Sequence, residues 1–281
     1  YIESIKMTAS EKVWDKNRLK EANEGDCRVV INGKRHYKVP LGTGYAPSVT
    51  TVLSETASEA SKKKLLAWGK KNPGKKEEAA ERGTFIHSKM EHYLADGEKN
   101  PEIPDEYKDF WDGMPSVLDQ FGEVLWAENP LKDEYKFTIG GDGIARVWAV
   151  DEGRAWVGAP DIVAYAKGKL TLADLKTSVK PYSRYFPKDA EKGSQEWRDL
   201  FTGNIKFEKT LKQLAAYDLG LQQTLDIKVD QAAILVSTPE RCQVFKISRR
   251  FLDMLHDDWK KIVQEYYNQL EEQGPTDYDA Y

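Results

Sequence analysis

The stretch GAPDIVAYAKGKLTLADLKTS, residues 158–178, decides how this chain is read. It carries two runs of β-formers, IVAYA and KLTLADLK, on either side of a turn at Gly168, the pattern of two adjacent strands. Asp161 follows Pro160 at the head of the first run and Asp174 lies 13 residues further on, so pairing the strands brings their carboxylates together. Asp174 and Lys176 are i and i+2, which puts both side chains on one face. The spacing alone says little, because it recurs at Glu106/Lys108, Glu134/Lys136, Asp226/Lys228 and Asp258/Lys260, where a solvated surface pair is expected. Context singles out the Asp174 copy. Two carboxylates sharing one coordination sphere repel unless a divalent cation sits between them, and hard oxygen donors favour Mg²⁺ or Mn²⁺. Asp161 as a simple strand or turn opener is the competing reading.

Outward from this stretch the chain reads as α/β with one central mixed sheet. Residues 1–46 form an N-terminal appendage, with RVVING and KRHYKVP as a hairpin turning at Asn32-Gly33. Residues 47–273 form a single domain. Its first part, 47–97, is helical: PSVTTVLSE, then a helix with Thr56 and Glu59 as a capping box and Leu65, Leu66 and Trp68 along it, stopped by Pro73-Gly74. A further helix over residues 77–95 closes at Gly97 and carries Ile86, Met90, Tyr93 and Leu94 on one stripe. His87 and Glu91, i and i+4, share a face of it. Residues 122–178 switch to a period near 2, in EVLWAE, EYKFTI, IARVWAV, AWVGAPDIVAYA and KLTLADL, with turns at Gly140-Gly141 and Asp151-Glu152-Gly153. Residues 179–223 are a charged loop and a helix from about Phe207, and residues 230–273 are two strands, QAAILVS and QVFKIS, and a last amphipathic helix. An acidic tail, 274–281, follows.

Composition narrows the classes. The chain has 281 residues, 42 Lys and Arg against 46 Asp and Glu, a net charge of −4, and 40% apolar residues, which excludes a uniformly basic nucleic-acid coat and a mostly disordered chain. No apolar run is long enough to span a membrane and no signal peptide is evident, so a soluble intracellular protein is expected. Cys27 and Cys242, the only cysteines, exclude a disulfide framework, a four-thiolate zinc site and an iron–sulfur cluster. The charge is uneven. Lys62, Lys63, Lys64, Lys70, Lys71, Lys75 and Lys76 form a run without an acid, and Lys176, Lys180, Arg184, Lys188 and Lys192 outnumber Asp189 and Glu191. Such patches serve either as a phosphate track or as solvated helix faces. Tyr182, Tyr185, Phe186 and Trp197 in the same region either stack on unpaired bases or pack a core.

His87 on the preceding helix is either a core or partly exposed histidine or a third metal donor beside Asp161 and Asp174. The Lys176 ammonium beside them orients a water and stabilises a pentacovalent phosphorus. Glu128 on VLWAE is a secondary ligand, since a carboxylate on an apolar strand needs a cation. Glu91 either pairs with a neighbouring Lys on the helix surface or acts near the metal, and it stays outside the core set. Gln213 and Tyr217, i and i+4 beside an apolar face of Leu211, Leu214, Ala215 and Leu219, either flank the core or reach a phosphate, a base or Lys176. The hydroxyls of Thr177 and Ser178 serve either the backbone or a phosphate.

Four motifs in order, GTFIH (83–87), GAPDIVA (158–164), DLKTS (174–178) and QLAAY (213–217), resemble the RecB-like branch of the PD-(D/E)xK nuclease superfamily. The resemblance implies a restriction-endonuclease-like core, with His87, Asp161 and Asp174 holding metal, Lys176 catalytic, and the Gln213–Tyr217 helix lying along DNA. The backbone carbonyl of Leu175 joins the ligands in that picture. YAPSVTTVLSET and the Trp68 helix are most similar to the mitochondrial genome maintenance exonucleases and their phage and bacterial relatives, which implies a single-strand exonuclease. Ser48 and Thr50 in that stretch, with Lys180 and Arg184, complete the expected DNA contacts. The expected function is Mg²⁺- or Mn²⁺-dependent digestion from the ends of single-stranded DNA by a monomer. A double-strand-end resecting nuclease and a non-catalytic DNA-binding module are the rivals. A bacterial or phage-infected cytoplasm is the expected setting, with mitochondria as the alternative.

Overall fold

A computed structural model describes residues 28–40, 44–131 and 144–272. Cys27, the strand expected over EYKFTI with its Gly140-Gly141 turn, and the acidic tail lie outside them. Asn32 and Gly33 take φ of 50° and 74°, the left-handed pair that closes a tight hairpin between β1 (Arg28–Ile31) and β2 (Lys34–Lys38). Strand β3 (Tyr45–Pro47) completes a three-stranded sheet. Ser48 then caps α1 (Val49–Glu55) by accepting from the Thr51 amide. The next cap is Ser58 rather than Thr56: Ser58 accepts from Ser61 at the start of α2 (Glu59–Lys71), while Thr56 closes α1 by donating its hydroxyl to Val52 O. Helix α3 (Lys75–Glu91) runs into a π-helical stretch, His92–Asp96, ended by Gly97 at φ 73°. Two short helices not expected from sequence follow, α4 (Asp105–Trp111) and α5 (Pro115–Leu118).

The central sheet has six strands: β4 (Phe121–Ala127), β5 (Asn129–Pro130), β8 (Ile162–Ala166), β9 (Lys169–Thr177), β10 (Gln231–Ser237) and β11 (Cys242–Ser248), in the order β11-β10-β9-β8-β4-β5. β9 and β10 are parallel and the other pairs antiparallel, so the sheet is mixed. The parallel step is bridged by α6 (Gln195–Leu225), and α7 (Arg249–Glu272) follows β11. Alternation along β9 and β10 sends Leu172, Ile234 and Val236 into a core with α6 and α7, and Ala173, Leu175, Ala233 and Leu235 into a second core with Ile86, Met90, Phe110, Trp111 and Met114. Helices therefore cover both faces of the sheet. No helix among the described residues is long and apolar enough to cross a membrane.

Two sequence expectations change. The runs IARVWAV and AWVGAP do not join the central sheet; they form their own hairpin, β6 (Val147–Asp151) and β7 (Arg154–Gly158). Period-2 alternation identifies a strand but not its sheet. Here packing decides: a Cβ on Gly220 of α6 would lie 2.6 Å from Val147, and Trp156 meets Trp259 of α7 edge-on at 5.8 Å. Helix α6 also begins at Gln195 instead of near Phe207, because Ser194 caps it through the Trp197 amide. Its first three turns carry few core residues, which hides them from a periodicity reading.

Trp156 and Trp259 are both enclosed and knit the hairpin to the last helix. Trp259→Ala is expected to lower the unfolding free energy by about 3–5 kcal/mol, read from chemical denaturation followed by circular dichroism.

Candidate metal centre

Strands β8 and β9 pair with Ile162 opposite Ala173, so the next step of the ladder sets Asp161 against Asp174. The Asp161 carboxylate is locked by accepting the Leu175 amide at Oδ2, 2.6 Å away. Asp174, fully enclosed, ion-pairs through Oδ2 with Lys176 Nζ at 2.6 Å, and its Oδ1 is buried with no hydrogen-bond partner. From the opposite side His87 on α3 reaches the same strand end: Nε2 lies 3.0 Å from Leu175 O and Nδ1 lies 2.6 Å from Glu128 Oε1 and 3.9 Å from Asp161 Oδ1.

Glu128 sits just past the end of β4, not within it, in the left-handed region at φ 54°. A glutamate there is strained, and the surroundings hold it: its amide donates to Asp161 O at 2.7 Å, and Trp126 Nε1 donates to Pro160 O at 2.8 Å. Register shifts along β4 between Phe121 and Trp126 precede it. The chain from β4 and the chain entering β8 are thus stitched together at their carboxylates. His87, Glu128 and Asp161 offer ligand atoms within 4.8 Å of one another; Asp174 is not in that group and faces Lys176. Glu91, half-buried, stands outside it as well.

The electrostatics follow. Burial works against a charged His87 imidazole, but the Asp161 and Glu128 carboxylates outweigh it and lift its pKa to about 9. Burial raises the Asp174 carboxyl to about 6, with Lys176 opposing and Asp161 adding. Asp161 is raised by burial too, against the charges of His87 and Lys176. For Lys176, burial is overcome by Asp174 and Asp161, which hold the ammonium above its usual range. Glu128 Oε1, Asp161 Oδ1 and the Leu175 carbonyl oxygen ring the His87 imidazole. Together with the orphaned Asp174 Oδ1, this oxygen-rich donor set with one imidazole fits a divalent cation of the Mg²⁺ or Mn²⁺ kind.

The other expected residues fall in four places. Gln213 and Tyr217 lie on the α6 face beneath the site, both buried, with the Gln213 amide donating to the Tyr217 hydroxyl at 2.5 Å. Burial pushes the Tyr217 phenol up, and Asp174 adds to it. Gly158 permits this approach, since a Cβ there would lie 2.4 Å from the Tyr217 ring. Ser178, buried, donates to Lys180 O at 2.7 Å and accepts from Lys206 at 3.0 Å; Thr177 Oγ1 lies 3.6 Å from where Gly83 would carry a Cβ. Farther out, Lys180 pairs with Asp199 at 3.2 Å and Arg184 donates to Lys246 O on the edge strand. Ser48 is engaged as the α1 cap and with Thr50 Oγ1 at 3.0 Å. Helix α2 buries no side chain, leaving Leu65, Leu66 and Trp68 exposed among its lysines. Phe186, Trp197 and Phe201 form a partly exposed aromatic group, with Trp197 and Phe201 stacked at 4.7 Å, whereas Tyr182 is buried. Sequence reasoning did not single out Arg82, Lys206 or Lys209. The spacing 206, 209, 213, 217 on one helix was the available signal for the two lysines, once α6 is extended to Gln195.

No protein-family model matches the chain, and no curated protein does. Among solved structures it is similar to a crystal structure of SSO0001, at 15% identity and a TM-score of 0.31, over 88% of this chain and 83% of that one. It is also similar to a crystal structure named "putative exonuclease" from Eubacterium rectale, at 14% identity and a TM-score of 0.37, over 68% of each chain. Likeness at this level carries no weight for function, which rests on the residues of the site.

Proposed function

We propose that this chain is a metal-dependent nuclease of the PD-(D/E)xK type that hydrolyses DNA phosphodiester bonds, acting from single-strand ends. The observation that carries the proposal is the placement of Asp161 opposite Asp174, with Lys176 paired to Asp174 and with His87 and Glu128 converging on Asp161. A pure binding module has no use for carboxylates buried at this cost.

His87, Asp161, Asp174 and the Leu175 carbonyl would hold Mg²⁺ or Mn²⁺, with Glu128 as a further donor. When bound, the cation supplies charge neutralisation and Lewis acidity at the attacked phosphate. Lys176 Nζ, on the same strand face as Asp174, orients the attacking water and stabilises charge as it builds on the phosphoryl oxygens. The Asp161 carboxylate keeps its orientation through the Leu175 amide, so the donor set is preorganised. Tyr217 and Gln213 brace the underside of Asp174 and Lys176 and exclude water there. The exposed basic helix α2 and the loop basics are the proposed walls of the DNA path, and the helical part from Ser48 to Lys76 is the proposed restriction that selects ends.

End-labelled linear single strands and closed circular single strands, incubated with Mg²⁺, Mn²⁺ or EDTA, test this. Loss of only the linear strand, and only with metal, is expected. Cutting of the circle removes end selection, and cutting of neither removes the nuclease. Lys176→Ala is expected to reduce cleavage by roughly 10³-fold or more while DNA binding stays within a few-fold. With its pKa near 9, His87 is protonated at neutral pH and must lose that proton to ligate a metal. Mn²⁺ affinity should therefore fall as pH drops below 9, by about tenfold per unit. Calorimetry in two buffers of different ionisation enthalpy should report close to one proton released; a release of none would remove His87 as a ligand.

A further inference from the structure

Beside the candidate centre stand cations that, among the described residues, have no carboxylate ion pair. Arg82 on α3 is only 7% exposed; its guanidinium carbon lies 4.4 Å from the Phe110 ring centroid, and its Nε is enclosed with no hydrogen-bond partner. Glu78, one turn earlier, feels its charge but is bound to Lys75 at 2.7 Å. Lys206 on α6 is half-buried and donates to Ser178 Oγ at 3.0 Å, with Nζ 5.8 Å from the Tyr182 ring. Among the described residues neither Arg82 nor Lys206 has an ion pair, and neither does the solvent-facing Lys209 one turn on. Lys62, Lys75 and Lys180, by contrast, all have carboxylate partners. Arg82 and Lys206 are close enough to act on one another: burial and then Arg82 lower the pKa of Lys206. Like charges held near one another, one of them buried, destabilise a fold unless an anion completes them.

Ser178 is the meeting point. It directly follows the Asp174–Thr177 end of β9, the neighbouring Thr177 lies under Gly83 of α3, and Lys206 reaches its hydroxyl from α6. Along α6, Lys206, Lys209, Gln213 and Tyr217 follow at intervals of three, four and four, one helix face leading to Lys176. We infer that Arg82, Lys206 and Lys209, with the Ser178 hydroxyl, form a phosphate subsite that holds a phosphate group of the DNA strand next to the one attacked. A planar guanidinium fork beside an ammonium and a hydroxyl suits a tetrahedral oxyanion. The choice of DNA as the phosphate's bearer rests on the nuclease proposal; the phosphate chemistry does not.

The test uses single-stranded oligonucleotides of one sequence, 5′-phosphorylated, 3′-phosphorylated or bare, with affinity read by fluorescence anisotropy in EDTA across a salt series. Melting temperature is read in parallel with inorganic phosphate. Wild type, Lys206→Gln and Arg82→Gln are compared, and Lys206→Gln carries the test if the buried Arg82 variant does not fold. Lys206→Gln is expected to weaken oligonucleotide binding roughly five- to tenfold, to lower the salt slope by about 1, and to reduce the stabilisation by phosphate. A preference for one phosphorylated end that disappears in the variant assigns a terminal phosphate; uniform weakening assigns an internal phosphodiester. Unchanged affinity, salt slope and phosphate response in Lys206→Gln overturn the subsite, and metal-dependent cleavage by the wild type would then leave the nuclease proposal standing. Stabilisation by phosphate that depends on Lys206, in a protein that binds no oligonucleotide, keeps the subsite and removes the DNA reading.

Discussion

The hydrogen bond from the Leu175 amide to the Asp161 carboxylate is the constraint on which the rest of the site depends. It is a bond between adjacent strands made by a side chain in place of a backbone carbonyl, and it pins Asp161 at the point where β8 begins. The residue opposite Leu175 in this register is Pro160, which has no N–H, so the Leu175 carbonyl is left for His87, and the β8–β9 register brings Asp174 alongside. Each of these consequences depends on one residue of register. A slip by one position would turn Asp174 and Lys176 to the opposite face, into the apolar core lined by Ala173 and Leu175.

The site is electrostatically expensive, and the fold around it is arranged to carry that expense. Asp174 is wholly enclosed, Asp161 nearly so, and Glu128 sits in a strained backbone conformation beside them. His87 and Lys176 offset the negative charge from two helix-covered faces of the sheet, so the cluster has opposite charges within reach at every carboxylate. Breaking one pair leaves a buried charge alone, which costs far more than the pair contributes. Well-packed apolar side chains would hold the same strands together at lower cost, and that excess cost is what the proposed chemical role accounts for.

Rigidity around the centre comes from close backbone approach. Gly158 lets β7 press on the Tyr217 ring, Gly220 lets α6 lie on Val147, and Gly203 lets the same helix sit against Pro181 O, where a Cβ would come within 2.6 Å. Through these contacts α6 serves as one continuous strut under the sheet, the β6–β7 hairpin and the loop after β9. Its polar face is thereby aimed at the strand end where the carboxylates meet.

The sequence by itself determined the strands at 158–178, the shared face of Asp174 and Lys176, the Asn32-Gly33 hairpin, the amphipathic helices and the set of titratable residues that could act together. Those features are local: alternation, helical spacing and left-handed turn residues act within a few positions. What only the tertiary structure decided is which strands share a sheet and which charges meet. The hairpin of Val147 to Gly158 alternates as well as any central strand, yet Trp156, Val147 and Gly220 draw it onto the helices. Thr56 reads as the cap of α2, yet its hydroxyl turns back to Val52 O and Ser58 takes the cap. Glu128 read as a strand carboxylate and became a left-handed corner only because Asp161 and Pro160 take the hydrogen bonds of its neighbourhood. Arg82 and Lys206 lie 124 positions apart in the chain, and no period or motif relates them. Their juxtaposition exists because α3 packs over Thr177 and α6 reaches Ser178 at the end of β9, and convergence of distant elements is a property of packing, which local spacing does not encode.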